Sequence, residues 1–156
     1  MLTTKLFSGL GLFLVGCFYF GKEMTYSIPD ATKVDGSVAE IYKNSHSRQE
    51  KWAQGKEIYT DFCIQCHGAT GKGDVNNFPP LDGSDWLTKK RAQSIHAVKY
   101  GQSGEILVNK MKFNNTMPPM GLSNKEVADV MNYIMNSWSN KQDKIVTVEE
   151  VAGIKE

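Results

Sequence analysis

Net charge is almost absent from this chain: 18 Lys and Arg stand against 17 Asp and Glu, a formal +1. A nucleic-acid-binding domain advertises itself by a basic face and a pI above about 9. Neither is present, so nucleic acid is not an expected partner. Cysteine is scarce, with three in 156 residues. Two lie close together and the third, Cys17, is far upstream, so no disulfide framework is available. A four-ligand zinc site is excluded as well, because there is no second cysteine pair. Long hydrophobic runs are also missing. The uncharged apolar stretch Leu6–Phe20 would span roughly 22 Å as a helix, short of a hydrocarbon core of roughly 30 Å.

What is present is concentrated in Cys63-Ile64-Gln65-Cys66-His67. Cys-x-x-Cys-His is the attachment signature of a c-type haem. Two thiols at this spacing can form thioethers to the two vinyl groups of one porphyrin, and the adjacent imidazole then lies beneath the iron. A thioredoxin-like redox pair shares the Cys-x-x-Cys spacing but needs a strand–helix–strand setting, which the residues around Cys63 do not offer. Fifty residues beyond His67 comes Asn115-Thr116-Met117-Pro118-Pro119-Met120-Gly121. A thioether is a soft iron ligand that raises the potential of a His-ligated haem. The proline pair stiffens the loop presenting it.

With both motifs in one chain, the segment from Glu50 to Ser139 resembles the class I cytochromes c, small monohaem electron carriers. The resemblance implies an all-α fold whose N- and C-terminal helices cross over one covalent haem c. It implies thioether bonds at Cys63 and Cys66, and His67 and Met117 as the axial iron ligands. Met120 would be a packing side chain. In Phe78-Pro79-Pro80-Leu81, it implies that the Pro79 carbonyl orients the His67 ring and that Leu81 forms haem wall. Gly55 would allow the C-terminal helix to cross closely, with Tyr133 facing it. Candidate propionate donors are Trp86, Tyr100, Arg91, Asn114 and Asn115, of which Trp86 and Tyr100 could equally be core aromatics.

Periodicity places the elements. A helix is expected over 48–62, with Ser47 as N-cap and Glu50 as its capping-box partner. A second is expected over 89–100, ending at Gly101, with Ile95, Val98 and Ala92 inward. Ser123-x-x-Glu126 opens a third, whose apolar stripe is Val127, Val130, Met131, Ile134 and Trp138. Ile106, Val108, Met111 and Phe113 line the approach to Met117. Thr147-Val148-Glu149-Glu150 opens a short helix with Val148, Val151 and Ile154 on one side. The domain plan is thus 1–21 as a signal, lipoprotein or anchor segment, 22–47 as a flexible tether, 48–139 as the haem domain and 140–156 as an extension. A tether of that length reaches roughly 25–30 Å.

Leu14-Val15-Gly16-Cys17 resembles a bacterial lipobox, which would put lipid on Cys17; the alternative is a short helical anchor. Either exports the chain and tethers it to the periplasmic side of a membrane, where membrane redox proteins would be its electron donor and acceptor. From Trp86 to Lys112 six cations meet one acid, Glu105. This stretch is either a rim that steers an acidic partner or a solvated helix face. With both axial positions filled, the iron has no open site, so a one-electron carrier is expected rather than an enzyme. The alternatives are a fixed cytochrome subunit of a membrane oxidase or reductase, and a haem enzyme or gas sensor whose weak Met ligand leaves to open the iron.

Overall fold

The structure, a computed structural model, describes residues 36–156. Segment 1–21 with Cys17, and the first part of the expected tether, lie outside the described residues. The order is α1 (Gly36–Ile58), a π-helical turn (Tyr59–Cys63), α2 (Ile64–His67), α3 (Asp85–Lys89), α4 (Arg91–Tyr100), β1 (Ile106–Val108), β2 (Met111–Phe113), α5 (Asn124–Ile134) and α6 (Val148–Gly153). The fold is all-α, as expected, apart from one two-stranded antiparallel ribbon.

Helices α1 and α5 pack together at Gly55. A Cβ at this buried position would overlap the Asp129 carbonyl oxygen and lie 2.8 Å from Tyr133 Cβ. Only glycine lets the two backbones approach so closely, and that explains a residue costing about 1 kcal/mol against alanine inside a helix. On α5, Ser123 and Glu126 form the expected capping box. Val127, Val130, Met131 and Ile134 are buried and form the centre of the core with Tyr59, Ile95 and Met135.

Four expectations are corrected. First, α1 begins at Gly36 and takes in the second half of the proposed tether. Ser47 is inside the helix, where its hydroxyl donates to the Asn44 carbonyl (3.0 Å). That local bond lets a capping residue sit mid-helix. Second, the helix expected over 89–100 is two helices broken at Lys90 (φ −129°, ψ 47°). The Ser94 hydroxyl bonds the Trp86 and Lys90 carbonyls across the break. Ala92 is exposed and Ala97 is buried in its place. Third, α5 stops at Ile134, four residues short of Trp138. Side chains compete for its last carbonyls: the Ser137 hydroxyl donates to Tyr133 and the Asn140 amide to Ile134. Trp138 then takes φ +56° and packs its ring edge-on against Tyr59 and Tyr133 (centroids 5.4 and 6.2 Å apart). Fourth, 106–113 is a hairpin. Its two-residue turn, Asn109-Lys110, has φ positive at both positions (+50° and +67°), matching the twist of paired strands. Asn109 and Asp85 exchange two backbone-to-side-chain bonds (2.8 and 2.9 Å), which pin the turn to α3.

Residues 140–156 are not an appended tail. Asn140, Val146 and Val151 are buried. The Thr147 hydroxyl caps α6 by accepting from the Glu150 amide (3.1 Å). Arg91 grips Glu150 through Nε and Nη2 (2.7 and 2.9 Å) and donates to the Ile145 carbonyl (3.0 Å). Val148, expected on the packed side, is largely exposed. The Arg91 bonds hold the Glu150 carboxyl below its ordinary 4.5. A carboxyl depressed by folding stabilises above its unfolded value, and that stability is lost as pH falls through the folded value. The clasp should therefore be intact at neutral pH and loosen only as pH falls below the usual glutamate range. Glu150→Gln should cost about 2 kcal/mol at pH 7 and progressively less as the solution is acidified through the titration of Glu150, as measured by urea unfolding across that pH range.

Candidate functional site

The π-helical turn widens the end of α1 where the chemistry begins, a common setting for functional residues. Tyr59, its first residue, is buried, and its hydroxyl donates to the Gly68 carbonyl (2.7 Å). Cys63 closes the turn and is buried, while Cys66, on α2, is exposed. Burial pushes the Cys63 thiol up to about 11. His67 ends α2 and is 8% exposed.

His67 Nδ1 lies 3.0 Å from the Pro79 carbonyl oxygen, the contact the resemblance implied. A carbonyl only accepts, so Nδ1 carries the proton and Nε2 keeps its lone pair. Burial pulls the imidazole below its ordinary value, against the opposing effect of the Pro79 bond, and so favours the neutral ring that ligates metals. The carbonyl is itself held in place. The Asp74 amide donates to Phe78 O (2.9 Å) and the Leu81 amide to Gly71 O (2.7 Å). Asn140 then fastens the loop to the end of α5, its amide donating to Leu81 O (2.8 Å) and its Oδ1 accepting from the Gly83 amide (3.0 Å). Nothing in the local pattern singles out Asn140, because its partners are 57 and 59 residues away.

Cys63, Cys66, His67, Pro79, Leu81, Trp86 and Met117 all line one cavity of about 310 Å³. The remaining walls are mostly apolar, among them Phe78, Leu87, Val98, Ile106, Val108 and Phe113. Met117 is held in the wall by a pair of main-chain bonds with Gln102, 2.8 Å in each direction. Met120 and Met131 also line the cavity, whereas Met111, expected on the approach, is exposed on the hairpin. Among the described residues no cluster of three or more His, Cys, Asp or Glu could hold a metal ion by itself. A site with one imidazole, two thiols at its edge, thioether sulfur and apolar walls fits a porphyrin and does not fit a bare ion.

The propionate expectations fare less well. The Trp86 indole lines the cavity, but its N–H donates to the Leu107 carbonyl (2.7 Å) and so helps hold the hairpin. The Tyr100 hydroxyl donates to Ile154 O (3.2 Å) and Arg91 is engaged by Glu150; neither lines the cavity. Of the two asparagines only Asn115 does, and its amide reaches Asn77 O (3.1 Å). Trp86, Tyr100, Arg91 and Asn115 thus bond partners far away in sequence.

Comparison with known proteins agrees with this geometry. The family model described as Cytochrome c matches residues 52–138. The chain is 36% identical over 112 residues to cytochrome c-552 of Thermus thermophilus, an alignment covering 66% of this chain and 85% of that protein. It is 28% identical over 116 residues to the cytochrome c subunit of an alcohol dehydrogenase (quinone) from Gluconacetobacter polyoxogenes, covering 65% and 22% respectively. It is 30% identical over 107 residues to the Cbb3-type cytochrome c oxidase subunit FixP of Sinorhizobium medicae (strain WSM419), covering 64% and 35%.

Proposed function

The chain belongs to the cytochrome c family, carries covalent haem c and functions in electron transfer; on that premise we propose that it is a membrane-tethered one-electron carrier with His67 and Met117 as axial ligands. The observation that carries this reading is the convergence of His67, oriented by Pro79, and Met117, held by Gln102, on one apolar cavity. Bound haem supplies an iron centre that gains and loses one electron.

The protein's residues do the rest. Cys63 and Cys66 would hold the porphyrin edge. The Pro79 bond fixes the His67 ring and raises its basicity as a ligand. Met117 would supply a thioether ligand to the iron and, with the apolar walls, would keep water from it. A soft thioether ligand among apolar walls would favour the reduced form and raise the potential. With His67 and Met117 both holding the iron, peroxide, nitrite and oxygen would find no ready site on it, which supports a carrier over an enzyme. The chain spans most of cytochrome c-552 but under two fifths of the length of the dehydrogenase and oxidase subunits it matches. The second reading, a fixed subunit of a membrane oxidase or reductase, draws on the names of those longer relatives. Membrane redox proteins are the partners in either case.

The tether is proposed from sequence: segment 1–21 would anchor the chain on the periplasmic side through lipid on Cys17 or an uncleaved helix. No helix among the described residues is long and apolar enough to cross a membrane. Fractionation of the expressing cell, followed by intact-mass measurement, tests location and anchor together. A protein washed from membranes by salt alone and lacking added lipid mass would overturn the tether. Co-purification from detergent at fixed stoichiometry with an oxidase or reductase would overturn the free carrier.

The basic stretch is thinner in three dimensions than along the chain. Arg91 and Lys99 turn to the C-terminal segment, and Lys112 pairs with Glu105 (3.0 Å). Lys110, at the hairpin tip, has no ion pair among the described residues. Lys110→Glu should slow oxidation of the ferrous protein by hexacyanoferrate(III) about threefold at 10 mM salt and leave it unchanged near 1 M, where charge is screened within about 3 Å. Stopped-flow rates at the two ionic strengths check this.

A further inference from the structure

The family match ends at residue 138, yet the segment beyond it is bonded to the element that holds Met117. The last turn of α4 is clamped by α6. Lys99 Nζ donates to the Val151 and Ile154 carbonyls (2.9 and 3.2 Å), and the Tyr100 hydroxyl also donates to Ile154 (3.2 Å). The next residue, Gly101, is buried at φ +88°. A Cβ there would lie 2.7 Å from the Met117 carbonyl oxygen and 3.1 Å from Pro119. The residue after it, Gln102, makes the paired main-chain bonds to Met117. Three consecutive steps, α6 to Lys99-Tyr100, to Gly101-Gln102, to Met117, thus join the C-terminal extension to one wall of the cavity.

We propose that the C-terminal extension positions the sixth haem ligand: by fixing the end of α4 it sets where Gly101 and Gln102 hold the Met117 main chain. The inference rests on the reading of Met117 as that ligand. A thioether is a weak ligand, so its hold on iron depends on the loop that presents it. Lys99, Tyr100 and Gly101 are therefore positioning residues that act through Met117 and touch no substrate.

The test uses the full-length haem-loaded protein and three readouts: the long-wavelength absorption band of sulfur-ligated ferric haem, the reduction potential, and carbon monoxide affinity of the ferrous form. Gly101→Ala is compared with Gly104→Ala. Both glycines have positive φ (+88° and +82°), but around Gly104 a Cβ would meet nothing within 4 Å. The backbone strain is shared and the push on Met117 is not. Gly101→Ala should weaken the band, lower the potential and raise carbon monoxide affinity about tenfold, equivalent to about 1.4 kcal/mol lost from the ligand bond. Gly104→Ala should leave all three unchanged.

For the extension itself, Lys99→Met with Tyr100→Phe is compared with Glu150→Gln, which loosens the clasp at the far end of α4. The double variant should shift carbon monoxide affinity in the same direction as Gly101→Ala. Glu150→Gln should lower the unfolding midpoint without that shift. If the Lys99/Tyr100 variant loses stability with an unchanged band and potential, the extension is a structural brace only and the proposal is overturned. A shift in Glu150→Gln proportional to its lost stability overturns it equally. A wild-type protein without the sulfur band would instead refute Met117 as ligand, so the two failures are distinguishable.

Discussion

Replacing Met117 with alanine should leave haem covalently attached and remove sulfur ligation completely. The variant should bind carbon monoxide readily in the ferrous state, and its potential should fall by a sizeable part of the roughly 0.8 V over which axial ligands tune haem proteins. The reason is that attachment and ligation rest on different elements. Cys63, Cys66 and His67 belong to the π-helical turn and α2, and Pro79 secures the imidazole (3.0 Å). Met117 comes from a separate loop held by Gln102. With Met117 as the proposed ligand, losing the thioether would leave the first group untouched while opening the iron to water and small ligands. Met120 lines the same cavity but lies beyond the Pro pair, past the residue that Gln102 pins. Met120→Ala should change the potential only slightly. A denaturing gel stained for haem, with ferric spectra and a redox titration of both variants, checks the pair. Intact sulfur ligation in the Met117 variant and its loss in the Met120 variant would reverse the assignment.

Gly55→Ala should be among the most destabilising single-methyl additions to this protein, by about 3 kcal/mol, near the upper end of what overpacking costs. Propensity alone predicts the opposite sign, because alanine is about 1 kcal/mol better than glycine inside a helix. The contact decides. The added Cβ would overlap the Asp129 carbonyl and crowd Tyr133 Cβ at 2.8 Å. Backbone cannot rotate away as a flexible side chain can. Parting α1 from α5 would also disturb Tyr59, Tyr133 and Trp138, whose rings pack within 6.2 Å of one another. Gly153→Ala is the matched control, since a Cβ there meets nothing within 4 Å. It should be neutral or slightly stabilising. Urea unfolding of the two haem-loaded variants separates these outcomes; equal midpoints would mean the helices do not cross at Gly55.

Much of the site was legible because it is chemistry at fixed spacing. Cys63, Cys66 and His67 are adjacent, and Pro79 and Met117 sit in short motifs, so the resemblance could place each by number. The capping box at Ser123 and the hydroxyl cap at Thr147 were legible for a similar reason: their bonds close within three residues. The Glu150 carboxylate, expected to complete a box at Thr147, pairs with Arg91 instead. The misses have a common cause. Ser47 looks like a helix start, but its hydroxyl found the Asn44 carbonyl three residues back. Trp138 continues the apolar stripe of α5, yet distant packing against Tyr59 and the Ala69 carbonyl (3.1 Å) draws it out of the helix. Of the donors suggested for propionates, Arg91 and Tyr100 were engaged by the C-terminal segment and Trp86 by the hairpin. Local pattern does not reveal which of two competent partners, dozens of residues apart, a donor will meet.

Sequence alone determined the cofactor, the manner of its attachment and the helical class, because thioether and imidazole chemistry need particular side chains at particular separations. It also established the apolar face of α5, since helical periodicity is a local property. Tertiary structure alone decided that residues 140–156 belong to the haem domain, that Arg91 and Lys99 face the C-terminal segment, and that Gly101 lies against Met117. Those outcomes depend on which surfaces meet after the chain closes its long loops, and a linear order of residues does not encode such contacts in any short motif.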